Sequence, residues 1–187
     1  MGHGRTMVIA CGLLMAVLVT GLPAQAPTGQ TPTASTASTT MAGGSILPTG
    51  LGEAIDRDIA KLNAATERFK SASVAIAAGY PVNERCIEHQ PHGAMGYHFG
   101  NEALHDATLE VEKPEVLVYE KRPDGSFKLN GVEYIVPIKA WTKAEPPTIM
   151  GQALKKADSL GIWYLHVWNV EHNPSGLFAD WNPRVKC

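Results

Sequence analysis

Imidazole is the reactive group this sequence offers in quantity. Beyond residue 26 it carries six histidines, His89, His92, His98, His105, His166 and His172. The first three fall in Cys86-Ile87-Glu88-His89-Gln90-Pro91-His92-Gly93-Ala94-Met95-Gly96-Tyr97-His98, a stretch that reads as a loop, with His105 just beyond it. Within it His92-x2-Met95-x2-His98 mixes imidazole with thioether, a set suited to copper. His166 and His172 flank Trp168. A strand continuing that far would place Tyr164, His166, Trp168, Val170 and His172 on one face by period-two alternation. Histidine is the commonest protein ligand for zinc and copper. His98, His166 and His172 are therefore the candidate ligands of a copper or zinc site. The paired thiolates or His-x3-His helical spacing that mark many zinc sites are missing. The competing reading is that these imidazoles are separately buried against backbone or exposed to water.

Two other classes of function use the same residues. In a metal-independent enzyme, His98 or His166 would act as general base with Glu88, Glu133 or Asp180 as partner. No Gly-x-Ser-x-Gly motif supplies a nucleophile. In a small-ligand-binding module, aromatic side chains would line a pocket with a few polar anchors, with Tyr97, Tyr164 and Trp168 as the first candidates. Large aromatics are also the common filling of a core.

The cysteines bear on the address of the protein. His3 and Arg5, an uncharged apolar run from Met7 to Leu22, and Ala24-Gln25-Ala26 are the three parts of a secretory signal peptide over residues 1–26. The run is shorter than the roughly 20 residues that span a bilayer as a helix. Pro27 disfavours cleavage after Ala26, which leaves two alternatives: cleavage after Ala24, or an uncleaved leader acting as a membrane tether in place of a periplasmic or secreted protein. Cys11 precedes most of the apolar run and does not fit a lipobox. Cys86 and Cys187 then remain, and two thiols in an oxidising compartment read as one disulfide. The alternative is a Cys86 nucleophile with His166 as base and Asp180 as orienter, which leaves Cys187 without a role.

Residues 27–50 are rich in Pro, Thr, Ser, Ala and Gly, with almost no charge. Such a composition cannot bury enough apolar surface to offset the entropy of ordering it, so it reads as a disordered spacer. Residues 51–187 are the length of one domain. The net charge is −2 with both signs interspersed, and no basic run with interleaved aromatics marks a nucleic-acid partner. No segment after the leader is long and apolar enough to span a membrane.

The elements that would hold the histidines follow from periodicity. Ile55, Ile59, Leu62, Thr66, Phe69, Ser73 and Ile76 recur at helical spacing between Gly52 and Ala78, where Gly79 and Pro81 stop the helix. Glu115–Lys121 and Phe127–Pro137 read as a hairpin turning at Pro123-Asp124-Gly125. Asn130-Gly131 marks either a bulge or a further tight turn. Ile162–Val170 reads as a third strand. Pro147 followed by Thr148–Ala157, with Gly161 beyond, suggests a short helix, and the tail through Asn182-Pro183 reads as turns. The predicted fold is α+β: an amphipathic helix at the start of the domain packed on a small antiparallel sheet, with one disulfide.

Met95-Gly96-Tyr97-His98, Pro114-Glu115-Val116-Leu117-Val118-Tyr119-Glu120, Gly131-Val132-Glu133-Tyr134, Leu165-His166-Val167-Trp168 and the run Asn173–Pro183 together resemble a family of exported bacterial hypothetical proteins. The resemblance spans the domain from the long helix to Cys187. It implies that Cys86, His98, His166 and Cys187 belong to a shared pattern, and it implies no activity.

Overall fold

The alternation of large apolar residues along the strands predicts a sheet with two distinct faces, and the computed structural model, which describes residues 48–187, has that arrangement. The leader and nearly all of the spacer fall outside the described residues. α1 (Glu53–Thr66) leads through a single 3-10 turn, Glu67–Lys70, into α2 (Ala72–Ala77). Eight strands follow: β1 (Cys86–His89), β2 (Gly93–Gly100), β3 (Val116–Lys121), β4 (Phe127–Pro137), β5 (Thr148–Ile149), β6 (Gln152–Ala153), β7 (Lys155–Ala157) and β8 (Ile162–Val167). Six of them form a curled antiparallel sheet in the order β1-β2-β3-β4-β8-β7, and β5 and β6 make a separate small hairpin. The α+β class holds, and Cys86 is bonded to Cys187 with their Cα atoms 5.7 Å apart.

One sheet face carries Phe99, Leu117, Tyr119, Val132, Tyr134, Val136, Leu165 and Val167, packed against Ile59, Leu62, Phe69, Ala75 and Tyr80 of the helical segment. Tyr119 from the sheet donates its hydroxyl to the Phe69 carbonyl at 2.6 Å, which ties the segment down where the 3-10 turn interrupts it. That interruption corrects the expectation of one continuous helix to Ala78. Its cause lies in the packing: the change of direction at Ser71 buries Ala75 completely and leaves Ile76, expected in the apolar stripe, 46 % exposed.

Three other expectations change. The histidine-bearing stretch is a β-hairpin, β1-β2, rather than a loop. Thr148–Ala157 forms extended segments, not a helix: Met150 and Gly151 both adopt positive φ, 50° and 68°, the geometry of a two-residue hairpin turn. β8 stops at Val167, because Val170 and Glu171 turn back to donate to the Asn130 carbonyl. The Asn130-Gly131 ambiguity resolves as a bulge within one long strand, since Val118 pairs with Gly131 and Tyr119 with Leu129.

A second bulge lies on β2, where Ile87 pairs with Gly96 and Glu88 with Ala94, leaving Met95 unpaired. The two bulges are on the strands either side of β3. Bulges bend a strand and increase its twist, and this pair curls the sheet toward its second face.

Candidate metal centre

The second face is where the curl closes. Ala94, Val118, Trp168 and Val185 form a small buried cluster there, covered by the tail, which pairs with β2 through Ala94 and Asn182 in both directions at 3.1 and 3.2 Å. Beside that cluster lie His98 of β2, Glu133 of β4 and His166 of β8. Glu133 and His166 are directly opposite each other in the ladder. His98 is opposite Val118, and β3 and β4 separate its strand from β8. On a flat sheet three strand spacings come to roughly 14 Å. Here the His98 and His166 Nε2 atoms are 3.2 Å apart, with the rings nearly perpendicular. Curvature brings them together.

Each of the first two residues sits two positions beyond a bulge glycine, Gly96 before His98 and Gly131 before Glu133. Gly96 has φ 100°, and a Cβ there would lie 2.4 Å from the Tyr119 carbonyl oxygen; one at Gly131 would lie 2.5 Å from the Val167 carbonyl oxygen. Only glycine permits these approaches of neighbouring strands, so both glycines set the direction in which the ligand two residues on is aimed.

The three side chains are nearly dry, with exposures of 13 % for His98, 8 % for Glu133 and 1 % for His166. One Glu133 oxygen is 3.7 Å from His98 Nε2 and the other 3.7 Å from His166 Nδ1. One ligand atom from each residue falls within 4.8 Å of the other two, a group able to hold a metal ion. For two nitrogens each roughly 2.0–2.1 Å from a tetrahedral ion, the separation is roughly 3.3 Å, close to the observed spacing of the two imidazoles.

Electrostatics point the same way. Burial holds His98 down at about 4, and it holds His166 well below its ordinary value, with His98 and Lys155 adding to the effect. Burial pushes Glu133 up to about 8, reinforced by Asp180 and Glu115. At neutral pH both imidazoles are therefore unprotonated, as ligation requires, and the carboxyl holds a proton that a cation would displace. No lysine or arginine makes an ion pair with Glu133 among the described residues.

The sequence-derived candidates are divided by this geometry. His98 and His166 come together. His172 is exposed beyond the end of β8, where its carbonyl accepts from Asn182 Nδ2, and Glu133 rather than His172 completes the group. His89 and His92 are exposed at the β1-β2 turn and stack on each other at 5.1 Å, so the expected His92-Met95-His98 set is not assembled. Of the candidate pocket aromatics, Tyr164 and Trp168 flank His166, Trp168 stacked at 6.0 Å with its Nε1 donating to the Ala179 carbonyl. Tyr97 belongs to the opposite face, packed on Phe127, because it is the strand neighbour of His98. The Cys86 thiol is consumed in the disulfide and is no nucleophile. Asp180 is paired with Lys155, and Glu88 is exposed.

Glu133 as a ligand went unrecognised in the sequence, where it stood only as a partner for a general base. The signal was present: a lone carboxylate inside Val132-Glu133-Tyr134-Ile135-Val136, a run otherwise apolar enough to be buried on both faces.

Two members of the group, His98 and Glu133, line a cavity of about 600 Å³ together with Tyr164, while His166 lies behind them. No family model, curated protein or solved structure matches the chain. The arrangement itself therefore carries the functional reading.

Proposed function

We propose that this protein binds one divalent metal ion through His98, Glu133 and His166, with a remaining coordination position directed at the cavity. The observation that carries the reading is the convergence of two neutral imidazoles and one carboxyl within 4.8 Å, from three strands of a doubly bulged sheet. Two histidines and a glutamate, with a fourth position open, are a zinc donor set found in hydrolytic sites. Zinc is the first choice over copper, since the group that converges is imidazole and carboxylate, and His92 of the His92-Met95-His98 set lies exposed at the hairpin turn. The same donors serve iron(II). Equilibrium dialysis of the full chain against Zn²⁺, Cu²⁺ and Fe²⁺, the last under anaerobic conditions, tests the proposal. One equivalent of ion retained by the native protein, and none by His98→Ala or His166→Ala, is the expected outcome. Failure to retain any of the three ions overturns it.

We also propose that the chain resides outside the cytoplasm, in the periplasm or secreted. The leader-like first 26 residues and the Cys86–Cys187 bridge support that address. Membership of the exported family it resembles would agree with it. Cell fractionation with intact-mass measurement of the recovered chain tests both export and the cleavage position.

A further inference from the structure

The cavity that His98 and Glu133 line has walls of a different character from those two residues. Val116, Ile135 and Ile162 line it, on the same sheet face as Glu133 and His166. Val82 and Leu160 line it as well and are 38 % and 72 % exposed, so the apolar surface continues outward to solvent. Asn83, Glu84 and Glu102 line the cavity beside them, so this apolar opening is rimmed by polar groups, as at a ligand-binding groove. The volume of about 600 Å³ is in the range of small-molecule sites.

Two further features shape the occupant. Gly100 lines the cavity without a side chain, where a methyl group would meet His105 Nε2 and Val116 Cγ2 at 3.9 Å without backbone strain. The space beside His105 is therefore left open by residue choice and not by a conformational need for glycine. His105 Nε2 is itself buried and has no hydrogen-bond partner within the protein. A buried ring nitrogen on a cavity wall is an anchor for a polar group of a ligand.

We infer that the cavity binds a small, predominantly apolar molecule that presents an oxygen donor to the ion at His98 and Glu133 and a second polar group to His105. The inference rests on the metal-centre reading above. Apolar walls supply affinity for the body of the molecule, while the ion and His105 fix its orientation. An oxygen donor such as a carbonyl, hydroxyl or carboxylate would fill the coordination position that the three protein ligands leave.

Two hydroxamates separate the contributions, because both offer the same oxygen donors and differ only in their apolar body. The zinc-loaded full chain is titrated calorimetrically with benzohydroxamate and with acetohydroxamate, and zinc per chain is measured after each titration. Benzohydroxamate should bind about tenfold or more tightly, the factor expected from moving a phenyl ring into an apolar site after association costs. Ile162→Asp, which puts a charge on the wall, and Gly100→Val, which fills the space beside His105, should each keep one zinc per chain and reduce the preference at least threefold. Equal affinity for the two probes with zinc retained overturns the cavity assignment and leaves the metal centre standing. A preference unchanged in both variants also overturns it, since the ring then lies elsewhere. Failure of the native chain to retain zinc overturns the metal centre and the cavity assignment together.

Discussion

His98 and His166 hold their Nε2 atoms 3.2 Å apart although two strands intervene between β2 and β8. Neither ring is charged at neutral pH, because burial opposes the charged form of both. Two neutral imidazoles and a buried carboxyl facing one another can take up a cation with release of one proton, the glutamate charge then offsetting part of the ion's. Glu133→Gln keeps the shape of the side chain and removes its capacity to balance that charge. The expected outcome is loss of zinc affinity by at least a hundredfold, beyond the roughly 10- to 100-fold that loss of a merely supporting group costs. His172→Ala should leave affinity unchanged, since His172 is exposed and outside the group. Competition titration with a chromophoric chelator reads both. A Gln variant that binds as tightly as the native chain would remove Glu133 from the ligand set.

The pH dependence of stability in the metal-free protein has a defined sign. Glu115 and Glu133 are both raised by burial to about 8, so between about 4.5 and 8 the folded state holds protons that the unfolded chain releases. Their contribution is fully present below about 4.5 and is lost as pH rises through 8. His98, lowered to about 4, and His166 act oppositely, since the unfolded chain takes up their protons below about 6.5. The two pairs oppose each other between about pH 4.5 and 6.5, which gives a plateau there. From about 6.5 to 8 only the carboxyls act, and stability falls by about 1–3 kcal/mol per pH unit. Glu115 accepts from the Ile135 amide at 3.1 Å, where β3 has not yet begun to pair, and Glu115→Gln can keep an acceptor there without titrating. That variant should show about half the slope above pH 6.5 in denaturant titrations. An unchanged slope would exclude Glu115 as a source.

The sequence made the sheet legible because its signals are local: Val116–Lys121 and Phe127–Pro137 alternate around a turn containing Pro123-Asp124-Gly125. It also marked His166, because an imidazole among large aromatics is unusual on a strand face, and His98, through its spacing from His92 and Met95 in a stretch that read as a loop. The third ligand was hidden by distance along the chain. Glu133 meets His98 only through the bulges at Met95 and Asn130, and a bulge has no periodicity of its own. His172 was expected on the same face by extending the alternation past Val167, where the chain is instead turned back by bonds to the Asn130 carbonyl. The Thr148–Ala157 segment misled for a related reason: Pro147 and Gly161 also bracket a hairpin and an edge strand, and apolar spacing over so short a run does not distinguish them.

Gly96 tests whether bulge geometry positions the site. Its φ of 100° disfavours any side chain, and its Cβ would collide with the Tyr119 carbonyl oxygen at 2.4 Å. Gly96→Ala should cost about 2 kcal/mol or more and should weaken zinc binding as well, since His98 follows two residues later. Gly125 supplies the comparison: its φ is 82°, but nothing lies within 4 Å of its Cβ position. Gly125→Ala should therefore carry only the backbone strain, about 1 kcal/mol, with zinc binding intact. Denaturant midpoints and zinc titrations on the two variants separate strain from collision. Equal losses in stability with intact zinc binding in both would mean that the close approach of β2 and β3 does not position His98.

The Cys86–Cys187 bridge should stabilise the domain without forming part of the metal centre. It joins β1 to the final residue across a sequence separation of 101 and fastens a tail that already has its own contacts. Val185 is fully buried against Ala94, Val118 and Trp168, and the Ala179 carbonyl accepts from the Trp168 indole beside His166. Those contacts do not require the sulfur bond. Cross-linking a loop of this length acts mainly on the unfolded chain, and removing such a bridge costs about 2–5 kcal/mol. The double variant Cys86→Ser with Cys187→Ser should therefore lower the denaturant midpoint by an amount in that range. At 25 °C and neutral pH it should still retain one zinc ion, provided enough stability remains to populate the native state. Loss of zinc from a variant that is folded by near-ultraviolet circular dichroism would show instead that the bridge holds the Trp168–His166 stack in place, and would tie the redox state of the tail to the centre.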